Sequence, residues 1–245
     1  MKRPGVKRCA AALATCAAMA GPAGCVAADN PGDPFEGFNR VMFSVNEGID
    51  VVVKPVAQGY DAIVPGPVRT GIGNFFGNIA DVWTAVNNLL QGKITEGASD
   101  TARVLVNSTM GIVGLIDVAS HLGLEKHTED FGQTLGKWGV GEGPYLYWPI
   151  VGPSNVRDTI GFAADMSADP IQYIHDVRVR NSLDGVRLID ARASLLPTDK
   201  VIEAAAFDKY SYIRNAYFQM RRDAVYDGDP PPLEDDEDDG EENEK

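Results

Sequence analysis

Apolar residues recur at helical spacing along most of this chain. After Phe35 they fall at Phe38, Met42, Val45, Ile49, Val52 and Val56, while Glu36, Arg40, Glu47, Asp50 and Lys54 lie largely on the opposite side. Asp33 is placed to cap this helix, Pro34 to open it, Glu36 to complete a capping box and Pro55 to end it. A helix about 30 Å long with that many charges does not span hydrocarbon; it suits an interface or a core. A second run holds Ile72, Phe75, Phe76, Ile79, Val82, Trp83, Val86, Leu89 and Leu90 and stops at Gly92. Its other face carries Asn74, Asn78, Asn87, Asn88 and Gln91, with Asp81 as its charge. A nearly uncharged amphipathic helix fits one side in lipid or core and the other in a polar interior.

Further along, Thr101–Val118 is apolar but interrupted by Gly111 and Gly114, which predicts a hairpin or re-entrant loop. Those glycines are candidate hinge residues, with close helix packing as the alternative. Glycines and prolines between 131 and 156 exclude regular helix through most of that stretch. Trp138, Tyr145, Tyr147 and Trp148 are interleaved there, as aromatic residues are at a membrane interface. Helical patterns return at roughly 177–195 and 199–226. No alternating strand set is long enough to make a sheet, so the fold class predicted is all-α.

The 245 residues open on a cationic n-region (Lys2, Arg3, Lys7, Arg8) and a small apolar stretch from Cys9 to Ala23, the anatomy of a secretory signal. Two cleavages are compatible with it. Ala23-Gly24 before Cys25 makes Cys25 the lipidated first residue of the mature chain; small-residue cleavage near Ala27-Ala28 leaves a soluble periplasmic protein. All three cysteines lie in or at the end of this leader, which excludes internal disulfides, cysteine catalysis and thiolate metal sites. Most of the net charge of −13 comes from the far end, where residues 227–245 hold eleven acids against Lys245. Such a segment cannot bury a core and is expected to be a disordered acidic tail. The acidic balance also argues against nucleic-acid binding, which needs a basic surface.

Catalytic patterns are missing. There is no Gly-x-Ser-x-Gly elbow. Gly132-Gln-Thr-Leu-Gly-Lys137 is too short for a phosphate loop, and Trp138 stands where Ser or Thr is needed. Gly139, Gly141 and Gly143 run into Pro144 with no helix start behind them. His121, His127 and His175 share no ligand spacing, so neither metal nor cofactor is expected.

Several ordered motifs resemble one family, the VacJ/MlaA lipoproteins. They include Asp33-Pro-Phe-Glu-Gly-Phe-Asn-Arg40, Val64-Pro-Gly-Pro-Val-Arg-Thr-Gly-Ile-Gly-Asn-Phe-Phe-Gly-Asn78 and Asn87-Asn-Leu-Leu-Gln-Gly92. Gly114-Leu-Ile-Asp-Val-Ala119, Glu129-Asp-Phe-Gly-Gln-Thr-Leu-Gly136, Gly139-Val-Gly-Glu-Gly-Pro-Tyr145 and Ala216-Tyr-Phe-Gln219 extend the likeness to about Arg222. The domains expected are a signal peptide over 1–24, a lipidated linker over 25–32, a helical domain over 33–226 that carries the resemblance, and over 227–245 the acidic tail, in which the chain departs from the family. The resemblance implies a ring-shaped bundle of amphipathic helices in one leaflet, with glycine- and proline-rich loops. The implied role is non-enzymatic: removing misplaced phospholipids from the outer leaflet of a Gram-negative outer membrane. Its implied partners are phospholipid, the inner leaflet, a trimeric porin and a soluble MlaC-like periplasmic carrier. A periplasmic lipid hydrolase and a structural porin-associated lipoprotein are the alternatives.

In such a ring, Asn39, Asn46, Asn74, Asn78, Asn87, Asn88 and Gln91 are candidates to line the channel or interior. The alternative is that they face water or each other around an ordinary core. Phe35, Phe38, Met42, Val45, Phe75, Phe76 and Trp83 are candidates to face the membrane.

Overall fold

The computed structural model describes residues 32–232; the leader, Cys25 and the acidic run beyond residue 232 lie outside the described residues. Three long helices come first: α1 (Glu36–Ile63), α2 (Gly66–Leu90) and α3 (Ile94–Thr109). Two short ones follow, α4 (Val118–His121) and α5 (Phe131–Lys137). Strands β1 (Tyr145–Trp148) and β2 (Gly152–Asn155) pair antiparallel, with Tyr145 opposite Asn155 and Trp148 opposite Gly152. After α6 (Val156–Ala168) and a 3-10 turn (Pro170–Tyr173) come α7 (Val177–Ser194), α8 (Leu196–Ala205) and α9 (Lys209–Val225).

Short acidic and amide side chains set most helix starts. Asp117, Asp130, Asn155, Asp176 and Asp208 each accept a backbone N–H in the first turn of α4, α5, α6, α7 and α9, satisfying donors that a helix terminus leaves open. Asp33 departs from this rule and from the predicted capping box. The residue capping α1 is Phe35, with no side-chain bond, and Asp33 is fully buried elsewhere. Its carboxylate accepts from the Tyr210 hydroxyl, from Arg214 at 3.2 Å and from Asn39 at 2.8 Å. Pro55 does not end α1 either. The helix runs through it to Ile63, absorbing a lost backbone bond that usually costs about 3 kcal/mol.

The two-stranded β1–β2 ribbon corrects the expectation that no strand set makes a sheet, while the fold is mainly helical as the pattern predicts. Asn39 holds it: its side-chain amide donates to the Tyr145 carbonyl at 3.0 Å and its Oδ1 accepts the Tyr147 N–H at 2.9 Å. A helix side chain thus completes the free edge of β1. Tyr145 and Tyr147, read from sequence as interfacial, are instead buried with Tyr210 in an aromatic core that Phe43, Tyr217 and Phe218 extend. Burial beside Glu47 and Asp50 pushes the Tyr147 hydroxyl up to about 12.

Burial is inverted relative to an ordinary water-soluble domain. Among the described residues the buried apolar ones are few: four alanines, the three tyrosines of the aromatic core, Ile171 and Val225. Asn39, Asn87, Asn88, Asp100, Arg103 and Asn155 are all buried. Large apolar side chains stand outside: Val51 is 73% exposed, Val52 69% and Ile63 81%. Contiguous exposed apolar surface marks a contact with something other than water. Among the described residues no helix is long and apolar enough to cross a membrane.

Candidate functional site

The closed end of the β-ribbon, Ile150–Pro153 (the turn with the first residues of β2), projects into a space bounded by α1, α7, α8 and α9. A cavity of about 310 Å³ opens there, walled by Asn46, Ile49, Asp50 and Val53 of α1, Leu188 and Arg192 of α7, Ile202 of α8 and Ile213 of α9. Pro153, Thr198, Ile202 and Ile213 also wall a second, apolar groove of about 550 Å³ that runs between α8 and α9 to Met220 and Arg221. A third hollow of about 150 Å³ shares Pro153, Tyr217 and Arg221 with that groove and Val151 with the first cavity. The three adjoin around one turn, whose Ile150 holds a left-handed φ of 71°, a conformation unusual for a β-branched residue.

Charges in this region are paired across long stretches of sequence. Arg192 donates to both oxygens of Asp50 at 2.7 and 2.8 Å and to Asp199 at 2.6 Å. The guanidinium holds the Asp50 carboxyl below its usual range. Lys209 meets both oxygens of Glu47 at 2.9 Å. At the far end Arg221 forks onto Asp130, 2.6 Å on each side, and reaches Asp158 at 2.5 Å. Burial opposes ionisation of Asp158, but the bonds from Arg221 and Arg157 outweigh it and keep its pKa depressed.

The sequence-predicted residues divide. Asn46 lines the first cavity and accepts the Ile150 N–H at 2.9 Å. Asn74 and Asn78 line a separate hollow of only about 60 Å³ with Asp81, Arg103 and Lys126. Asn39, Asn87 and Asn88 are enclosed and bonded to protein: Asn88 donates to Asp100 at 2.8 Å, and Asn87 accepts from Thr134 at 2.7 Å. Gln91 donates to Glu129 and Thr134. Thus the asparagine-rich face of α2 packs mainly on α3 and α5.

Of the apolar set, Phe35, Phe38 and Val45 are exposed. Phe75 and Phe76 are half-buried in edge contact with each other. Met42 packs on the aromatic core, and the Trp83 indole turns inward to Asp165. Gly111 and Gly114 sit in the turn after α3. A methyl group at Gly111 would lie 2.1 Å from the Ile116 carbonyl oxygen; at Gly114, where φ is +87°, it would lie 2.7 Å from Asn78. Neither position has room for a side chain, so close packing by itself accounts for both glycines.

His127, Glu129 and Asp130, adjacent in sequence, go to different partners: Asp100, Lys93 and Arg221. No cluster suited to a metal occurs among the described residues. The cavity walls from α7 and α8 carry no sequence motif; on α9 the motif Ala216-Tyr-Phe-Gln219 supplies Ala216 and Tyr217 to the groove, yet its sequence does not reveal that role.

Residues 31–224 match the family described as MlaA lipoprotein. The chain belongs to that family. The intermembrane phospholipid transport system lipoprotein MlaA of Escherichia coli K12 is 37% identical over 203 residues, covering 80% of this chain and 79% of its own. A protein of Rickettsia bellii is 35% identical over 195 residues, 79% of this chain and 76% of its own. A solved chain from work on the "Structural basis for maintenance of bacterial outer membrane lipid asymmetry" superposes with a TM-score of 0.69 at 35% identity. That match covers 80% of this chain and 99% of the solved one, so the MlaA fold extends over nearly all the described residues.

Proposed function

We propose that this chain is an outer-membrane lipoprotein that draws whole phospholipids out of a bilayer through the joined cavities around the Ile150–Pro153 turn. It removes phospholipids misplaced in the outer leaflet and hands them to a soluble carrier on the periplasmic face, beside a trimeric porin. Cys25 is its lipid anchor, and its helices form a ring within the inner leaflet. The carrying observation is the pairing of an apolar exterior with a hollow whose walls are mainly apolar but include charged residues. Moving a charged headgroup through hydrocarbon is costly; a polar path beside apolar walls lowers that cost while the acyl chains stay in apolar contact. Family membership and the printed role of the Escherichia coli relative support the same reading. No bond is made or broken in it.

The test is lipid release from vesicles by membrane-purified protein to a soluble acceptor fraction. Ile202 walls both larger cavities, so Ile202→Trp should cut release several-fold while helical content is retained. Wild-type release by that variant overturns the route. Fatty acid or lysolipid in place of intact phospholipid would replace the reading with a hydrolase.

A further inference from the structure

Two ion pairs stand in the wall of the 310 Å³ cavity, and they differ in kind. Arg192 is covered: Asp50 and Asp199 take three of its five N–H groups, its Nη1 is buried without a partner, and all three side chains are mostly shielded from solvent. The pair of Glu47 and Lys209 is open. Their side chains are 41% and 32% exposed, and neither has a second ion pair among the described residues. An ammonium on a flexible stem is a point charge that re-aims easily, and an exposed pair of this sort costs little to separate.

We propose that Glu47 and Lys209 form a headgroup exchange site that favours zwitterionic phospholipids carrying a primary amine, of the phosphatidylethanolamine type, over anionic ones. The inference rests on the lipid-transfer reading above. When such a headgroup enters, its phosphate takes the place of Glu47 at Lys209, and its ammonium takes the place of Lys209 at Glu47. Every charge that loses a partner gains one. An anionic headgroup with a glycerol end satisfies Lys209 alone. It strands Glu47 on the wall that also carries Asp50 and Asp199, where Arg192 is already committed. A partly desolvated carboxylate without a cation is unfavourable. A quaternary choline restores the charge balance but offers Glu47 no N–H, which places it between the two.

The experiment incubates the full-length, membrane-purified protein with vesicles of equal phosphatidylethanolamine and phosphatidylglycerol and measures the headgroup ratio of the lipid that stays bound. Wild-type protein should enrich the ethanolamine lipid by about threefold. Glu47→Gln should bring the ratio to that of the vesicles or below. Exchanging the charges, Glu47→Lys with Lys209→Glu, should restore the preference, a rescue that a purely structural role does not predict. Bound lipid at the vesicle ratio in wild-type protein, or an unchanged preference in Glu47→Gln, overturns the exchange site and leaves lipid transfer standing. Wild-type protein that retains no phospholipid removes both.

Discussion

The body divides into a sealed part and a hollow part. Where α2 meets α3 and α5, Asn78 bonds Ser108, Asn88 bonds Asp100 and Asn87 bonds Thr134, and the hollow left over is about 60 Å³. Around the β-ribbon, α1 and α7 to α9 leave cavities of about 310 and 550 Å³ with apolar walls. The asparagine-rich packing of α2 is therefore the closed region, and the two cavities beside the β-ribbon are greasier. The physical reason is the exterior. A helix that exposes its apolar face has its polar face left for packing, and buried amides must then find partners in one another. In the hollow region, long-range ion pairs tie the walls to one another: Asp50 of α1 to Arg192 of α7, and Glu47 of α1 to Lys209 of α9.

The sharpest way to break this contrast is at Arg221, which ties α9 to the starts of α5 and α6. Arg221→Met leaves the buried Asp158 short of its main cation and should cost about 3–5 kcal/mol in denaturant unfolding in detergent. A loss below 1 kcal/mol would show that this corner is not a structural tie. A smaller effect separates Asn39 from Asn46. Asn39→Leu strands the Tyr145 carbonyl and the Tyr147 N–H and should cost about 2–3 kcal/mol. Asn46→Ala, at a cavity wall, should cost less than about 1 kcal/mol and alter lipid release instead. Equal destabilisation of the two would erase the distinction between an enclosed amide and one at a cavity wall.

Acid provides the gentlest probe. Asp158 and Asp50 have depressed pKa values in the folded chain. Their contribution is complete above the ordinary carboxylate value of about 4 and is lost as pH falls through it towards the lower folded values. Burial raises Asp81 and Asp165, so protonating those two relieves the folded state as pH falls from neutral. Thermal midpoints in detergent should thus rise slightly on mild acidification and then drop by several degrees below about pH 4. A monotonic decline from neutral pH would contradict the opposed signs.

Periodicity made the long helices legible, because a step of three and four is the same whether an apolar face meets lipid or core. The same indifference hid the direction of the Asn87–Asn88 face. Proline at 55 misled because tertiary packing outweighs one lost backbone bond. The β-ribbon was illegible for a local reason: Gly152-Pro-Ser-Asn155 has little strand propensity, and its partner β1 is held by Asn39, more than a hundred residues away. The cavity walls were hidden likewise, since Asp50 with Arg192 and Glu47 with Lys209 are neighbours only after folding. The family motifs carried what the pattern could not.

The bare valines of α1 have a consequence for the chain's itinerary. A surface so oily is tolerable at its destination but sticky on the way there. Wherever water is the only neighbour, those side chains favour clumping of one copy against another, so the concentration of free folded chain is limited by the same surface.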